Sequence, residues 1–274
     1  MAAPRVVRGF LQGSYGQLHV RSARPAVAAR PALMCLHMSP KSSRGFADVM
    51  PFLASQRLVL APDYPGMGES DPPPAEPHVT VEDYAREAWR VADQSGVGDL
   101  HVLGYHTGSM VAVEMATQQP ARVRSVINIS APLFDATEAA QLDNTYSPIP
   151  LDEQGTRLTT MWSRVLAHRG PGMTLEMAMT SLAENLRGGE HYEWGHRAAF
   201  AYAPAYRERF AALTLPLLVI NPKDDCWETS QRADTLMQYG ERLDFPDWGH
   251  GFLSSAPQAA AEPILNFLKK HDRS

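Results

Sequence analysis

Two kinds of hydrophobic pattern alternate along the chain. Short continuous apolar runs occur at Pro31–His37, Leu58–Ala61, Leu100–Leu103, Val123–Ile129 and Leu215–Ile220. Runs of this length suit strands buried on both faces, as in a parallel sheet. Between them, apolar residues recur at helical spacing. Tyr84, Ala85, Ala88, Trp89 and Ala92 follow a capping-box pattern at Thr80–Asp83, Met110–Gln118 runs up to Pro120, and Phe46–Leu53 also reads as a helix. At the start, loose alternation broken by Gly13 and Gly16 predicts a hairpin of Val6–Gln12 and Gln17–Arg21. From Ala131 to Phe210 the strand pattern disappears. Leu158, Met161, Trp162, Val165 and Leu166 share one helical face, and Leu175, Met179, Leu182 and Leu186 share another; Trp194, Phe200, Tyr202 and Tyr206 mark a third, aromatic segment. The alternation then returns with a helix at Ser230–Gln238, a strand at Arg242–Phe245 and a closing helix at Ala259–Lys270. This order predicts an α/β fold: a mostly parallel eight-stranded sheet flanked by helices, its core formed by residues 1–131 and 209–274, with a helical cap at 132–208.

Composition narrows the partners. Of 274 residues, 44% are hydrophobic and 20% charged, so an ordinary core can be buried without staples. Lys and Arg number 25 against 30 Asp and Glu, a net charge of -5, which gives no electrostatic footprint for nucleic acid or an anionic membrane. No apolar run reaches the roughly 18 residues of a membrane span. Met1–Gly13 carries Arg5 and Arg8 but no apolar h-region, so a secretory signal is not expected. The two cysteines, Cys35 and Cys226, form no CxxC, and a reducing cytoplasm is the expected location. The expected partner is a small-molecule substrate; self-association into a homodimer is left open.

The chemistry concentrates at Leu103-Gly104-Tyr105-His106-Thr107-Gly108-Ser109, which joins a buried strand to a helix. Two glycines flank a central residue at the G-x-X-x-G spacing of a nucleophile elbow, a sharp strand-to-helix turn that exposes the central side chain. Three further motifs accompany it in order: His37-Met38 after the third strand, Asp63-Tyr-Pro-Gly-Met-Gly-Glu-Ser70 after the fourth, and Trp248-Gly249-His250-Gly251 near the end. With these four landmarks the chain resembles the α/β-hydrolase fold superfamily along nearly its whole length. The resemblance implies an oxyanion hole from the backbone N–H groups of Met38 and Thr107 and a catalytic histidine at His250. Asn221-Pro-Lys-Asp224-Asp225 stands where the family carries its acid; the spacing favours Asp224, and Asp225 is the alternative. The implied pocket lies between cap and sheet, with His37, Tyr105, Trp162 and Trp248 as candidate lining residues.

The family's central elbow residue is usually serine; here it is His106. Histidine can act as a covalent nucleophile, but its ring nitrogens lie roughly 2 Å beyond a serine oxygen, out of register with donors placed for a serine adduct. His106 and His250 could instead share acid–base work. The expected activity is therefore hydrolysis of an ester, lactone or related carbonyl bond of a small apolar molecule, with His106 at the nucleophile position and a His250/Asp224 acid–base pair. A lyase, cyclase or isomerase using both histidines, or a non-catalytic ligand-binding member, are the alternatives. His37, His106, His250 and Asp224 could converge on a metal, yet no local H-x-x-x-H spacing supports one, so neither metal nor cofactor is expected.

Overall fold

The computed structural model describes residues 4–272. The outer ends of the expected core, and the first residues of the segment read for a secretory signal, lie outside the described residues. In chain order the elements are β1 (Val6–Gly13), β2 (Gly16–Ala23), β3 (Ala32–Leu36), α1 (Met50–Leu53), β4 (Val59–Pro62), α2 (Val81–Gln94), β5 (Leu100–Tyr105), α3 (Thr107–Gln118) and β6 (Val123–Ile129). They continue with α4 (Ala136–Thr145), α5 (Thr156–Ala167), α6 (Leu175–Arg187), α7 (Trp194–Ala212), β7 (Leu217–Pro222), α8 (Trp227–Gln231), α9 (Ala233–Leu236), β8 (Gly240–Phe245), α10 (Phe252–Ser255) and α11 (Pro257–His271). The eight strands form one sheet in the order β1-β2-β4-β3-β5-β6-β7-β8. β1 pairs antiparallel with β2, and β2 antiparallel with β4; every other pairing is parallel. The expected mostly parallel eight-stranded sheet is thus the observed one.

Strand alternation divides the core between the two faces of the sheet. Ala32, Met34, Leu36, Leu100 and Val102 face one cluster, with Trp89 of α2, Val113 of α3 and Phe210 of α7. Leu33, Cys35, Leu103 and Tyr105 face the other, with Ile264 and Leu268 of α11. Burying both faces is what allows the uninterrupted apolar runs of β3, β4, β5 and β7, in which every residue is buried. The Thr80–Asp83 capping box is present: Asp83 N–H donates to Thr80 Oγ1 at 3.2 Å, and Thr80 N–H to Asp83 Oδ2 at 2.8 Å.

Two helices differ from expectation. Phe46–Leu53 is not continuous: a 3₁₀ turn at Ser43–Phe46 precedes the single-turn α1. Phe46, Val49, Met50 and Leu53 are all buried, so the spacing reflects real packing. Pro51, however, has no N–H to continue a helical ladder from the preceding turn. Ser230–Gln238 is instead the two short helices α8 and α9, parted at Arg232.

Between β6 and β7 run α4 to α7 with no strand. α7 is anchored to the sheet-covering layer. Tyr202 Oη donates to Glu114 Oε2 of α3 at 2.6 Å, Arg209 also binds Glu114, and Asn128 Nδ2 donates to Tyr206 Oη at 2.9 Å. α6 is held by side chains of the loop after β3, and α5 packs against α6. Lys41 Nζ donates to Ser181 O at 2.9 Å and Ser181 Oγ at 2.6 Å, and Ser42 binds Glu184. Among the described residues no helix is long and apolar enough to cross a membrane.

Candidate active site

The turn from β5 to α3 is built by close backbone approach. A Cβ on Gly104 would lie 1.9 Å from Gly108 O, and a Cβ on Gly108 would lie 1.9 Å from Leu36 O. Only glycine fits either position, and the second contact sets the loop after β3 beside the first turn of α3. His106 sits at the apex with φ 49° and ψ -114°, a conformation costly for a side-chain-bearing residue. Its N–H donates to Ile129 O at 3.0 Å, which fixes the turn against the end of β6. Ser109 Oγ lies 3.0 Å from both Gly104 O and Ile129 O, so this hydroxyl closes the turn from inside the core. Thr107 opens α3, where an N–H has no intrahelical acceptor.

The loop carrying Met38 is held by His37. Its Nδ1–H donates to Met38 O at 2.8 Å, and Tyr64 N–H donates to its Nε2 at 3.1 Å, which fixes a neutral tautomer. Burial likewise lowers the His37 pKa from its ordinary value, outweighing the nearby Asp63 carboxylate. Asp63 braces the same region by accepting from Ser43 N–H at 2.7 Å and Glu69 N–H at 2.9 Å, while Ser70 Oγ donates to Asp63 O at 2.9 Å.

Beyond β7 and β8 two carboxylates meet two imidazoles. His106 Nε2 lies 3.0 Å from Asp224 Oδ2, and His250 Nε2 lies 2.8 Å from Asp225 Oδ1. The expected His250/Asp224 pair is therefore exchanged: His250 binds the alternative acid, Asp225, and Asp224 is taken by the elbow residue. The reason is reach, since an imidazole on the elbow extends roughly 2 Å farther than a hydroxyl. Asp224 also accepts from Ser130 Oγ at 2.6 Å, from Cys226 N–H at 2.9 Å and, at 3.4 Å, from Tyr105 Oη. The Asp224 side chain is fully buried, whereas that of Asp225 is 38% exposed. His106 Nε2 lies 3.7 Å from Asp225 Oδ1, and its Nδ1 lies 3.9 Å from Cys226 Sγ. The His106 and His250 ring centroids are 5.3 Å apart.

Burial opposes charge on His106, but the Asp224 and Asp225 carboxylates offset it and raise its pKa above the ordinary value. Burial similarly opposes ionisation of Asp224 and Asp225, and their imidazole partners reverse that effect, leaving both below the usual carboxylate range. Burial pushes the Cys226 thiol up to about 11, so it is neutral near pH 7. His168, at the C-terminal end of α5, is lowered by burial and by the neighbouring His250.

Two cavities meet at this cluster. One of about 140 Å³ is lined by His106, His168, Asp225 and His250, with Tyr146 and Arg164. The other, of about 380 Å³, is lined by His37, Tyr105, Phe46, Met173, Met177 and Leu253. Met38, Lys41 and His250 line both.

The comparisons agree with this architecture. A family model described as the alpha/beta hydrolase fold matches residues 31–190. The chain belongs to the α/β-hydrolase fold family. A putative carbamate hydrolase, RutD, of Azorhizobium caulinodans is 27% identical over 243 residues, covering 81% of this chain and 84% of the relative. An esterase from Exiguobacterium antarcticum superposes with a TM-score of 0.78 at 17% identity, covering 96% of this chain and all of the esterase. An N-acyl homoserine lactonase, AidH, solved with N-hexanoyl homoserine, gives 0.77 at 20% identity, covering 98% of both chains. These relatives are named a carbamate hydrolase, an esterase and a lactonase, and the solved structures share the fold of this chain.

Within this α/β-hydrolase, His106, Asp224, Asp225, His250, Tyr105, Met38 and Thr107 all gather at one end of the sheet, around the cavities. Two expected lining residues do not. Trp162 is half-buried on α5 and borders neither cavity; Met161 and Val165 of the same helix line the smaller one instead. Trp248 is stacked between Phe245, at 4.0 Å, and Phe252, at 4.8 Å, and faces a groove beside α11. This apolar sandwich turns the indole away from the pocket that His250, two residues later, enters. Ser130, Cys226, His168 and Lys41 escaped the sequence reading. For Ser130 a signal existed: it directly follows β6, at the strand end where α/β sites form. Cys226 and Lys41 lie beside the acid and His37-Met38 motifs but carry no signal of their own, and His168 comes from a segment with no motif.

Proposed function

We propose that this α/β-hydrolase cleaves an ester, lactone or related carbonyl bond of a small, largely apolar molecule by direct water attack, with no covalent enzyme intermediate. The observation that carries the reading is the pair of separate His–Asp contacts, His106–Asp224 and His250–Asp225, on the wall of one cavity. Nε2 of His106 is committed to Asp224, so it aims no lone pair at a substrate carbon, and Nδ1–H, 3.9 Å from Cys226 Sγ, remains as the proton donor.

In this scheme the substrate carbonyl oxygen takes the N–H groups of Met38 and Thr107. His250, oriented by Asp225, removes a proton from water as the water oxygen bonds to the carbonyl carbon. His106, held by Asp224, gives a proton to the departing oxygen as the carbon–oxygen bond breaks. Proton transfer from His250 to His106 through solvent then restores the resting state. The helical segment 132–208 acts as a cap, and the methionine-lined larger cavity accepts the apolar part of the substrate. Carbonyl cleavage by the carbamate hydrolase, esterase and lactonase relatives supports the reaction class.

Intact-protein mass and pre-steady-state kinetics on p-nitrophenyl esters test this reading. The expected result is linear turnover with no burst and no added acyl mass. An acyl adduct lost in His106→Ala would establish covalent catalysis by histidine instead. A lyase or isomerase reading is favoured by one observation, two imidazoles with ring centroids 5.3 Å apart lining one cavity. It predicts no ester turnover at all, together with solvent deuterium exchange into a bound carbonyl compound.

A further inference from the structure

The smaller cavity brings together a set of ligands that the proposed reaction does not use as a set. His168 comes from the end of α5, Asp225 from the loop after β7 and His250 from the loop after β8. One ligand atom from each lies within 4.8 Å of the other two. His250 and Asp225 are already 2.8 Å apart, and the His168 ring meets the His250 ring edge-on at 5.7 Å. All three line the same cavity of about 140 Å³. Two imidazoles and a carboxylate with an open side are a donor set for zinc and similar divalent transition metals. Ligand atoms around tetrahedral zinc stand roughly 3.3 Å apart, given zinc–nitrogen distances of about 2.0–2.1 Å. The His250–Asp225 edge, at 2.8 Å, opens by about 0.5 Å to reach that spacing, and His168, whose ligand atom lies within 4.8 Å of both, closes by up to about 1.5 Å. Arg164, which lines the same cavity, lies 3.9 Å from Glu193, a carboxylate partner of its own.

We propose that His168, Asp225 and His250 form a binding site for one divalent transition-metal ion, and that the ion inhibits the enzyme. Binding requires only the three ligands. Inhibition rests in addition on the hydrolytic reading: an ion on His250 Nε2 displaces the proton held there by Asp225 and leaves the ring's N–H on Nδ1, so no lone pair remains to accept the proton of water. His168 has no part in the reaction itself, so the site places an off-switch on an outer helix beside the base.

The chelator-treated full chain is titrated with Co²⁺, followed by its visible d–d absorption, and with Zn²⁺, followed by displacement of Co²⁺ and by ester turnover. The expected result is one equivalent of Co²⁺, loss of turnover over the same Zn²⁺ range, and a shift of both midpoints by at least about tenfold in His168→Ala, turnover in each variant being read relative to its own metal-free rate. His168→Ala removes a side chain at a helix end, so folding is not at stake. Absence of Co²⁺ bands, or bands and inhibition unchanged in His168→Ala, would overturn the site. Were the protein to show no ester turnover under any condition, the hydrolytic reading would fail, and the Co²⁺ titration alone would still decide the metal site.

Discussion

His106 Nε2 lies 3.0 Å from Asp224 Oδ2, so the residue at the tip of the elbow holds a buried carboxylate directly. Substitution there should expose this dependence. His106→Ala removes the imidazole from Asp224, yet Ser130 Oγ and Cys226 N–H remain on the carboxylate. The expected loss of stability is about 1–3 kcal/mol, read by denaturant unfolding, and the expected loss of ester turnover is on the order of 10²–10⁴. A stable His106→Ala variant with unchanged turnover would remove His106 from the chemistry.

The two aspartates should fail in different ways. Asp225→Asn leaves a partly exposed position and disturbs the orientation of His250, so kcat falls by roughly 10²-fold or more with little change in melting temperature. Asp224→Asn alters a buried group that accepts from four sources, so melting temperature falls as well. Paired measurements of kcat and thermal unfolding on both variants check this. Equal thermal losses would contradict the separation of the two pairs.

Gly108 carries a purely steric prediction. An added methyl group would meet Leu36 O at 1.9 Å, backbone against backbone, so Gly108→Ala should cost upward of about 4 kcal/mol or prevent folding. Gly45, with nothing within 4 Å of its would-be Cβ, is the control, and Gly45→Ala should change stability by no more than about 0.5 kcal/mol. Circular dichroism melts of the two variants side by side decide the matter.

A pH dependence of stability should arise far from the cavities. His101 is fully buried on β5, within 2.7 Å of Ser125 Oγ, and burial together with the Arg57 charge lowers its pKa to about 4. The unfolded chain protonates this residue near 6.5. Between those values the unfolded state binds the extra proton, so stability rises with pH across that window. The contribution is intact above pH 6.5, declines as pH falls toward about 4 and levels off below it. His101→Gln should flatten that part of a plot of unfolding free energy against pH; an unaltered slope would exclude His101 as its source.

The sequence by itself determined the α/β alternation, because strands buried on both faces require unbroken apolar runs and the helices between them require a periodic stripe. It determined the tight turn at residues 104–108, because glycine spacing is a local steric requirement. It also located the loops that would carry an acid and a histidine. Tertiary structure alone decided which acid meets which histidine. Asp224 and Asp225 are adjacent, and adjacency in sequence says nothing about which carboxylate a ring on another loop will reach. Packing likewise turned Trp248 into a sandwich between Phe245 and Phe252 and away from the pocket. It also brought Ser130 and His168 to the site from segments remote in sequence. Local pattern fixes the element on which a residue lies; the meeting of side chains depends on loop paths and side-chain reach, here the roughly 2 Å by which an imidazole exceeds a hydroxyl.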